Sequence, residues 1–155
     1  MTSVIELIKA HAPQELTKPV KVTLGDGKTQ RFVIKCFHSV GDYERLASKC
    51  ENRKLSMKAK SGKLAIIVPA DMLAGLEKFF PDATKPDKDG KVEFYLTSEQ
   101  EVTAATYLET CVVEPQIGWA EAATFVRVFA VAAIQIVKAA DEFSGTGALE
   151  AAKND

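Results

Sequence analysis

The sequence predicts an α+β fold, with an N-terminal β-hairpin and a small mixed sheet packed on several helices. The hairpin is indicated by two segments rich in β-branched and aromatic residues, 20–24 and 29–37, which flank a Gly-Asp-Gly-Lys sequence that suits a tight turn. A long apolar helix is indicated at 119–143 by its helical periodicity. At 155 residues the chain has the size of one domain. We place that domain at 1–145, with a small, polar and flexible tail at 146–155.

The composition is that of a folded protein. Hydrophobic residues make up 46% of the chain and charged residues 26%, which is ordinary for a soluble domain. The formal net charge is -1, which argues against a protein whose main task is to neutralise phosphates. Three widely spaced cysteines are typical of reduced thiols, and the start lacks a basic leader and a cleavage site. We therefore expect cytoplasmic residence.

The first predicted element is a short helix, VIELIKAH, at 4–11. Thr2 or Ser3 is placed to cap it, and Pro13 stops it. Its apolar residues cluster on one side, which suits a docking arm as well as a core element.

A second helix is predicted for YERLASKCENRK, at 43–54. Its apolar face consists of Tyr43, Leu46, Ala47 and Cys50. The same region carries a run of basic side chains. These are Lys49, Arg53, Lys54, Lys58, Lys60 and Lys63. A nucleic-acid interface would combine such a stripe with several stacking aromatic rings. Because Tyr43 is the only ring nearby, we favour a solvated face.

A short buried strand, LAIIV, is predicted at 64–68, and Pro69 is placed to open a helix, PADMLAGLEKFF, at 69–80. The polar loop 81–91 then leads to a second strand, VEFYL, at 92–96. These strands complete the expected sheet.

The next helix is predicted at 98–111 from two overlapping capping boxes. In these boxes Thr97 pairs with Gln100, and Ser98 pairs with Glu101, so that side chains satisfy the free backbone N–H groups of the first turn. The residues expected to face inward are Val102, Ala105, Leu108 and either Cys111 or Val112.

The predicted helix at 119–143 carries more apolar surface than a helix that meets a core on one side only. Pro115 and Gly118 set its start, and Gly145 provides a left-handed cap at its end. The uninterrupted apolar run 128–134 is far shorter than the roughly 18 residues that a bilayer requires. We therefore expect a buried, oligomer-forming helix and no membrane span.

Catalytic chemistry has little support in the sequence. His11 and His38 are isolated from other metal ligands, no serine lies in a nucleophile-elbow sequence, and no cysteine has a nearby activating residue. Glu99 and Glu101 are explained by helix capping. We predict no catalytic, cofactor or metal site, and hence a binding or assembly protein.

The segment 96–145 reads LTSEQEVTAATYLETCVVEPQIGWAEAATFVRVFAVAAIQIVKAADEFSG. It contains a helix, a Val-rich turn of the form C-V-V-E-P-x-I at 111–117, and a long apolar helix that ends near Ser-Gly. This order resembles the C-terminal part of the tail assembly chaperones of long-tailed bacteriophages, and the N-terminal hairpin with small helices resembles the layout of some of them.

The resemblance implies a protein made during phage assembly. Such chaperones bind the long hydrophobic tape measure protein, keep it soluble and help recruit the tail tube protein. They stay in the host cytoplasm and are not retained in the mature virion. Two alternatives stand beside this interpretation: a minor virion structural protein of the tail or head, and a small nucleic-acid-binding protein that uses the basic region 49–63.

The chaperone role requires adaptable apolar surface and self-association. We expect Phe125, Phe129 and Ile136 to face the body of the domain, and other apolar residues near the long helix to face a partner. The predicted partner-binding residues are Val113, Pro115, Ile117, Trp119, Val126, Val137 and Phe143.

Overall fold

The computed structural model describes residues 3–12, 16–35 and 39–144. In chain order the elements are α1 (Val4–His11), β1 (Thr17–Thr23), β2 (Thr29–Lys35), α2 (Val40–Ala59), β3 (Leu64–Pro69), β4 (Lys91–Leu96), α3 (Glu99–Cys111), β5 (Val112–Glu114), α4 (Trp119–Val128) and α5 (Ala130–Ser144). The expectations for Thr2, Pro13, His38, Gly145 and the tail 146–155 lie outside the described residues, as does Cys36, the first of the three cysteines.

The predicted hairpin is confirmed, with β1 antiparallel to β2 and Thr23 opposite Thr29. At the turn, Asp26 Oδ1 accepts the Lys28 N–H at 3.0 Å, and Gly27 takes the positive φ of 81° that glycine adopts without strain. The short strand β5 pairs with the other edge of β2, which gives the order β1-β2-β5. Sequence reasoning took this strand for part of a turn, because three residues show no reliable alternation.

The strands predicted at 64–68 and 92–96 are confirmed as β3 and β4, which pair antiparallel with Ile66 opposite Phe94. They form a separate two-stranded sheet. The α+β class is confirmed, and the strands of the described residues form two antiparallel sheets where the sequence predicted one small mixed sheet. Along both strands alternate side chains enter the core, which leaves Ile67 64% exposed.

The helix predicted at 69–80 is wrong. Strand β3 continues through Pro69, and two short 3₁₀ turns follow at Ala70–Leu73 and Glu77–Phe79. Gly75, at a φ of 82°, lies between them and interrupts helical geometry. The broken path still buries Leu73 beneath the β3–β4 sheet.

Helix α2 extends beyond the predicted 43–54 at both ends, whereas the bounds of α3 agree with the predicted 98–111 to within one residue. In α2, Leu46 and Cys50 are buried as expected, whereas Ala47 is exposed. In α3 the four residues Val102, Ala105, Leu108 and Cys111 are all buried, as is Val112 after it. The capping partners differ from the prediction: the Ser98 hydroxyl accepts the Gln100 N–H at 3.1 Å, and Glu101 accepts the Thr97 N–H at 3.2 Å.

The single long helix predicted at 119–143 is wrong. Helices α4 and α5 meet at Phe129, whose φ of −122° and ψ of 61° leave the helical region, and their axes bend by 118°. The bend lets α4 pack against α3 and β3, while α5 packs against α3, α4 and β1. The excess apolar surface is therefore largely buried against one body. Among the described residues no single helix is long and apolar enough to cross a bilayer, and only this bent pair reaches that threshold when taken together.

The interior consists of two apolar clusters. The first lies between the β1-β2-β5 sheet and the helices α2 to α5. The second lies beneath the β3–β4 sheet and includes Val102 of α3 and Ala123 of α4. Trp119, at the start of α4, packs against both clusters. Ile136 is fully buried, and Phe125 and Phe129 are half-buried against the first cluster, in agreement with their predicted orientation.

Candidate functional site: a groove between α2 and α5

Three of the six basic side chains of the segment 49–63 lie beside two carboxylates of α3. Lys49 Nζ lies 3.4 Å from Glu109 Oε1, and Arg53 Nη2 lies 3.0 and 3.1 Å from the two oxygens of the same carboxylate. Lys58 Nζ lies 3.5 Å from Glu99 Oε1. Half of the predicted basic segment therefore faces carboxylates of its own chain, which weakens it as a surface for phosphates.

The remaining members of the basic segment are Lys54, Lys60 and Lys63. Lys63 Nζ lies 5.5 Å from the centre of the Tyr95 ring. Within the part of the chain that the structure describes, Lys54 and Lys60 take part in no recorded ion pair. Lys60 follows the last turn of α2, whereas Lys54 lies on a wall of the groove described below.

Arg53 joins three helices. Besides its bond to Glu109, its Nη1 donates to Thr106 Oγ1 at 3.1 Å, and its guanidinium stacks 3.6 Å from the centre of the Trp119 ring. The side chain is only 21% exposed. Arg53 and Trp119 therefore hold α2, α3 and α4 together. The sequence did not predict that these two side chains form a pair.

Arg127 plays a similar role between α4 and the second sheet. Its Nε donates to Glu101 Oε2 at 3.2 Å, its Nη1 donates to the Phe79 carbonyl at 3.4 Å, and its Nη2 donates to the Tyr95 carbonyl. A signal was present in the sequence, because a lone arginine in an apolar run must find acceptors when it is buried.

Two of the predicted partner-binding residues are core residues. Ile117 is 9% exposed and Val126 is 5% exposed, and both belong to the first apolar cluster. Val126 was expected to face another chain, but the bend at Phe129 turns it into the domain. Trp119 is half-buried under Arg53. These three side chains serve the fold.

The other four predicted partner-binding residues divide into two places. Val113 and Pro115, on and after β5, are exposed. Val137 and Phe143, on α5, are half-buried against the first cluster. Of the seven predicted residues, Val137 lines the groove and the buried Val126 lines its continuation toward the bend, and sequence reasoning missed the more exposed neighbours on α5.

Those neighbours are Val131 and Ile134, which are 68% and 54% exposed on the first half of α5. Ile134 borders a groove of about 350 Å³ that we call the α2–α5 groove. Helices α2 and α5 each pack against α3, which forms its floor. Its lining residues are Lys54 from α2, Glu99, Gln100, Thr103 and Ala104 from α3, and Ile134, Val137 and Lys138 from α5.

A second depression of about 210 Å³ continues the groove toward the bend. It shares Gln100, Ala104 and Ile134 with the first, and Ala130 extends it to the start of α5. Its one arginine, Arg127, is already engaged by Glu101. The combined surface is open, mainly apolar and elongated along α5, which is the shape that a helix in a groove requires.

The buried thiols of Cys50 and Cys111 and the Tyr107 hydroxyl, all outside this groove, are poorly suited to nucleophilic chemistry. Burial raises the pKa of Cys50, and burial raises the pKa of Cys111 to about 12, so that both thiols remain protonated at neutral pH. Burial, together with the hydrogen bond to Asp141 at 2.7 Å, raises the pKa of Tyr107. Within the described residues no group of three or more His, Cys, Asp or Glu side chains is placed to hold a metal ion.

Comparison with known proteins provides no relative. No protein-family model matches the sequence, and neither a curated protein nor a solved structure matches it significantly. The groove and its charges are therefore the basis for a functional proposal.

Proposed function

We propose that this protein is a tail assembly chaperone of a long-tailed bacteriophage. It binds the tape measure protein, keeps it soluble and helps recruit tail tube subunits. The observation that carries the proposal is the α2–α5 groove, an open and mainly apolar surface whose lining residues, apart from Lys54, belong to the segment 96–145 that resembles those chaperones. Long helical tape measure segments expose apolar stripes, and such a groove covers one of them.

The proposed mode of action is reversible binding without catalysis. Ile134 is 54% exposed and lines both the groove and its continuation toward the bend, and the 68% exposed Val131 lies one turn before it on α5. Their exposure leaves apolar surface available to a client. The apolar stripe of a client bound there is covered and cannot take part in aggregation. The protein acts in the host cytoplasm and leaves the particle before the virion is complete.

Self-association is part of the same proposal. Helix α1 exposes Val4, Ile5, Leu7 and Ile8, each by 47% or more, and none of its residues is buried. A short helix with an uncovered apolar side suits contact with another copy of the chain. A homo-oligomer would present several grooves to one long client and raise the effective affinity without new contacts.

Co-expression with a tape measure fragment tests the function. We expect the fragment to remain in the supernatant with the wild-type protein and with Ile67→Asp, a control at a similarly exposed isoleucine on β3. Ile134→Asp introduces a charge into the groove, so we expect the fragment to pellet. If the fragment pellets equally with and without the wild-type protein, the proposal is wrong. Stoichiometric amounts of the protein in purified virions would favour a structural component instead.

A further inference from the structure

We propose that the α2–α5 groove receives an amphipathic helix whose apolar stripe is bordered on both edges by carboxylates. The inference rests on the proposed function only in the identity of the client, a segment of the tape measure protein. The apolar stripe and the acidic flanks of the bound helix are inferred from the residues of the groove alone.

The length of the groove fits about two helical turns. Its α5 wall runs from Ala130 to Lys138, and eight steps of 1.5 Å correspond to about 12 Å. Ala104 lies on the floor, and Ile134 and Val137 project from the wall. A small residue on the floor beside branched residues on the wall leaves room for apolar side chains spaced three and four residues apart.

The two lysines of the groove lie on its opposite walls. Lys54 lies on α2 and Lys138 lies on α5, and neither has a recorded ion pair within the described residues. The carboxylates that line the groove and its continuation are engaged: Glu99 by Lys58 at 3.5 Å, and Glu101, toward the bend, by Arg127 at 3.2 Å. The uncompensated charge is therefore positive on both walls, and it selects a helix with acidic flanks over one with basic flanks.

A second copy of α1 is the competing occupant, and its charges fit less well. Lys9 follows Ile5 by one turn and therefore borders the apolar stripe, while Glu6 lies on the opposite face. Helix α1 would bring a lysine to a groove that already carries two. The acidic amphipathic helix is favoured on these grounds.

Peptide binding tests the inference directly. The probes are three fluorescein-labelled peptides: a helix of about 16 residues with a leucine stripe flanked by Glu, the same helix flanked by Lys, and residues 3–12 of this chain. We expect fluorescence anisotropy to show about tenfold tighter binding of the Glu-flanked helix than of the Lys-flanked helix. The preference should shrink as NaCl rises from about 0.05 to 0.5 M, because Lys138 is exposed and Lys54 is only half-buried, so that salt screens both charges.

Charge reversal provides the matched variants. The double variant Lys54→Glu, Lys138→Glu should invert the preference between the two designed helices. The control is the double variant Lys60→Glu, Lys88→Glu, which makes the same charge change outside the groove and should preserve the preference. Circular dichroism establishes that each variant is folded. An unchanged preference in the groove variant overturns the inference.

Two results with the wild-type protein alone also overturn it. One is equal affinity for the Glu-flanked and Lys-flanked helices, and the other is tighter binding of the 3–12 peptide, which would identify a second copy as the occupant. Selective binding of the acidic helix without solubilisation of a tape measure fragment would retain the groove assignment and refute the chaperone function. Solubilisation of the tape measure fragment without selective peptide binding would retain the chaperone function and refute the groove assignment.

Discussion

At the scale of single residues, two arginines decide how the helices are joined. Arg53 lies between Glu109, Thr106 and the Trp119 ring, and Arg127 lies between Glu101 and two backbone carbonyls. A guanidinium presents several donors in a fixed plane, so one side chain bonds to two elements and stacks on a third. Both side chains are about four-fifths buried, and their acceptors lie far away in sequence.

Arg127→Ala is expected to lower the free energy of unfolding by about 2 kcal/mol, because it removes charged hydrogen bonds and leaves the half-buried Glu101 without this partner. Urea unfolding followed by circular dichroism measures the loss. Arg45→Ala is the control: Arg45 is 74% exposed and pairs with Asp42 within one helix, so its loss should stay below about 0.5 kcal/mol. Similar losses in the two variants would contradict the role of Arg127.

At the scale of elements, the bend at Phe129 decides which apolar surface is buried. The Phe129 ring lies 5.2 Å from Phe125, which in turn lies 5.7 Å from Phe32 of β2. This aromatic row fixes the corner against the hairpin, and T-shaped and tilted pairs of this kind add stability beyond their buried area. A straight helix would carry α5 away from α3 and β1 and would leave no α2–α5 groove.

The bend predicts a short distance between positions 121 and 142, both exposed glutamates. A straight helix would separate their backbones by about 32 Å, whereas the bend of 118° reduces this to about 17 Å. Spin labels at Glu121→Cys and Glu142→Cys, in a background with the three native cysteines replaced by alanine, measure the distance by pulsed dipolar spectroscopy. A distribution centred near the longer value would contradict the bend.

At the scale of the whole molecule, α3, α4 and Trp119 bridge two apolar clusters. Each cluster has its own antiparallel sheet, but α3 contributes Val102 to one and Leu108 to the other. The domain therefore cannot be divided between the sheets without exposing α3. Helix α1 differs from the other helices, because none of its residues is buried.

Deletion of residues 1–11 is expected to change the free energy of unfolding by less than about 0.5 kcal/mol, since none of its described residues, 3–11, is buried. Ile136→Ala provides the contrast. Ile136 is fully buried on α5, and its truncation should cost about 3 kcal/mol. Chemical unfolding at low protein concentration measures both. A deletion that destabilises as strongly as Ile136→Ala would mean that α1 packs on the body in solution.

The sequence alone determined the elements whose signals are local. The Asp-Gly turn, the alternation in β3 and β4, and the cap at Ser98 with the spacing of Val102, Ala105 and Leu108 each depend on neighbours within a few residues. For the candidate site, the sequence identified the apolar character of 119–143 and the basic character of Lys54. It did not predict that Lys54, Ala104 and Ile134 line one groove.

Tertiary structure alone decided the bend at Phe129, the pairing of β5 with β2, and the partners of Arg53 and Arg127. Each depends on a contact between residues far apart in the chain, and no periodicity encodes such a contact. Val126 illustrates the difference: its apolar character and helical position are local properties, but whether it faces a partner or the core depends on where α5 turns. The α2–α5 groove exists because that turn places α5 beside α3, opposite α2.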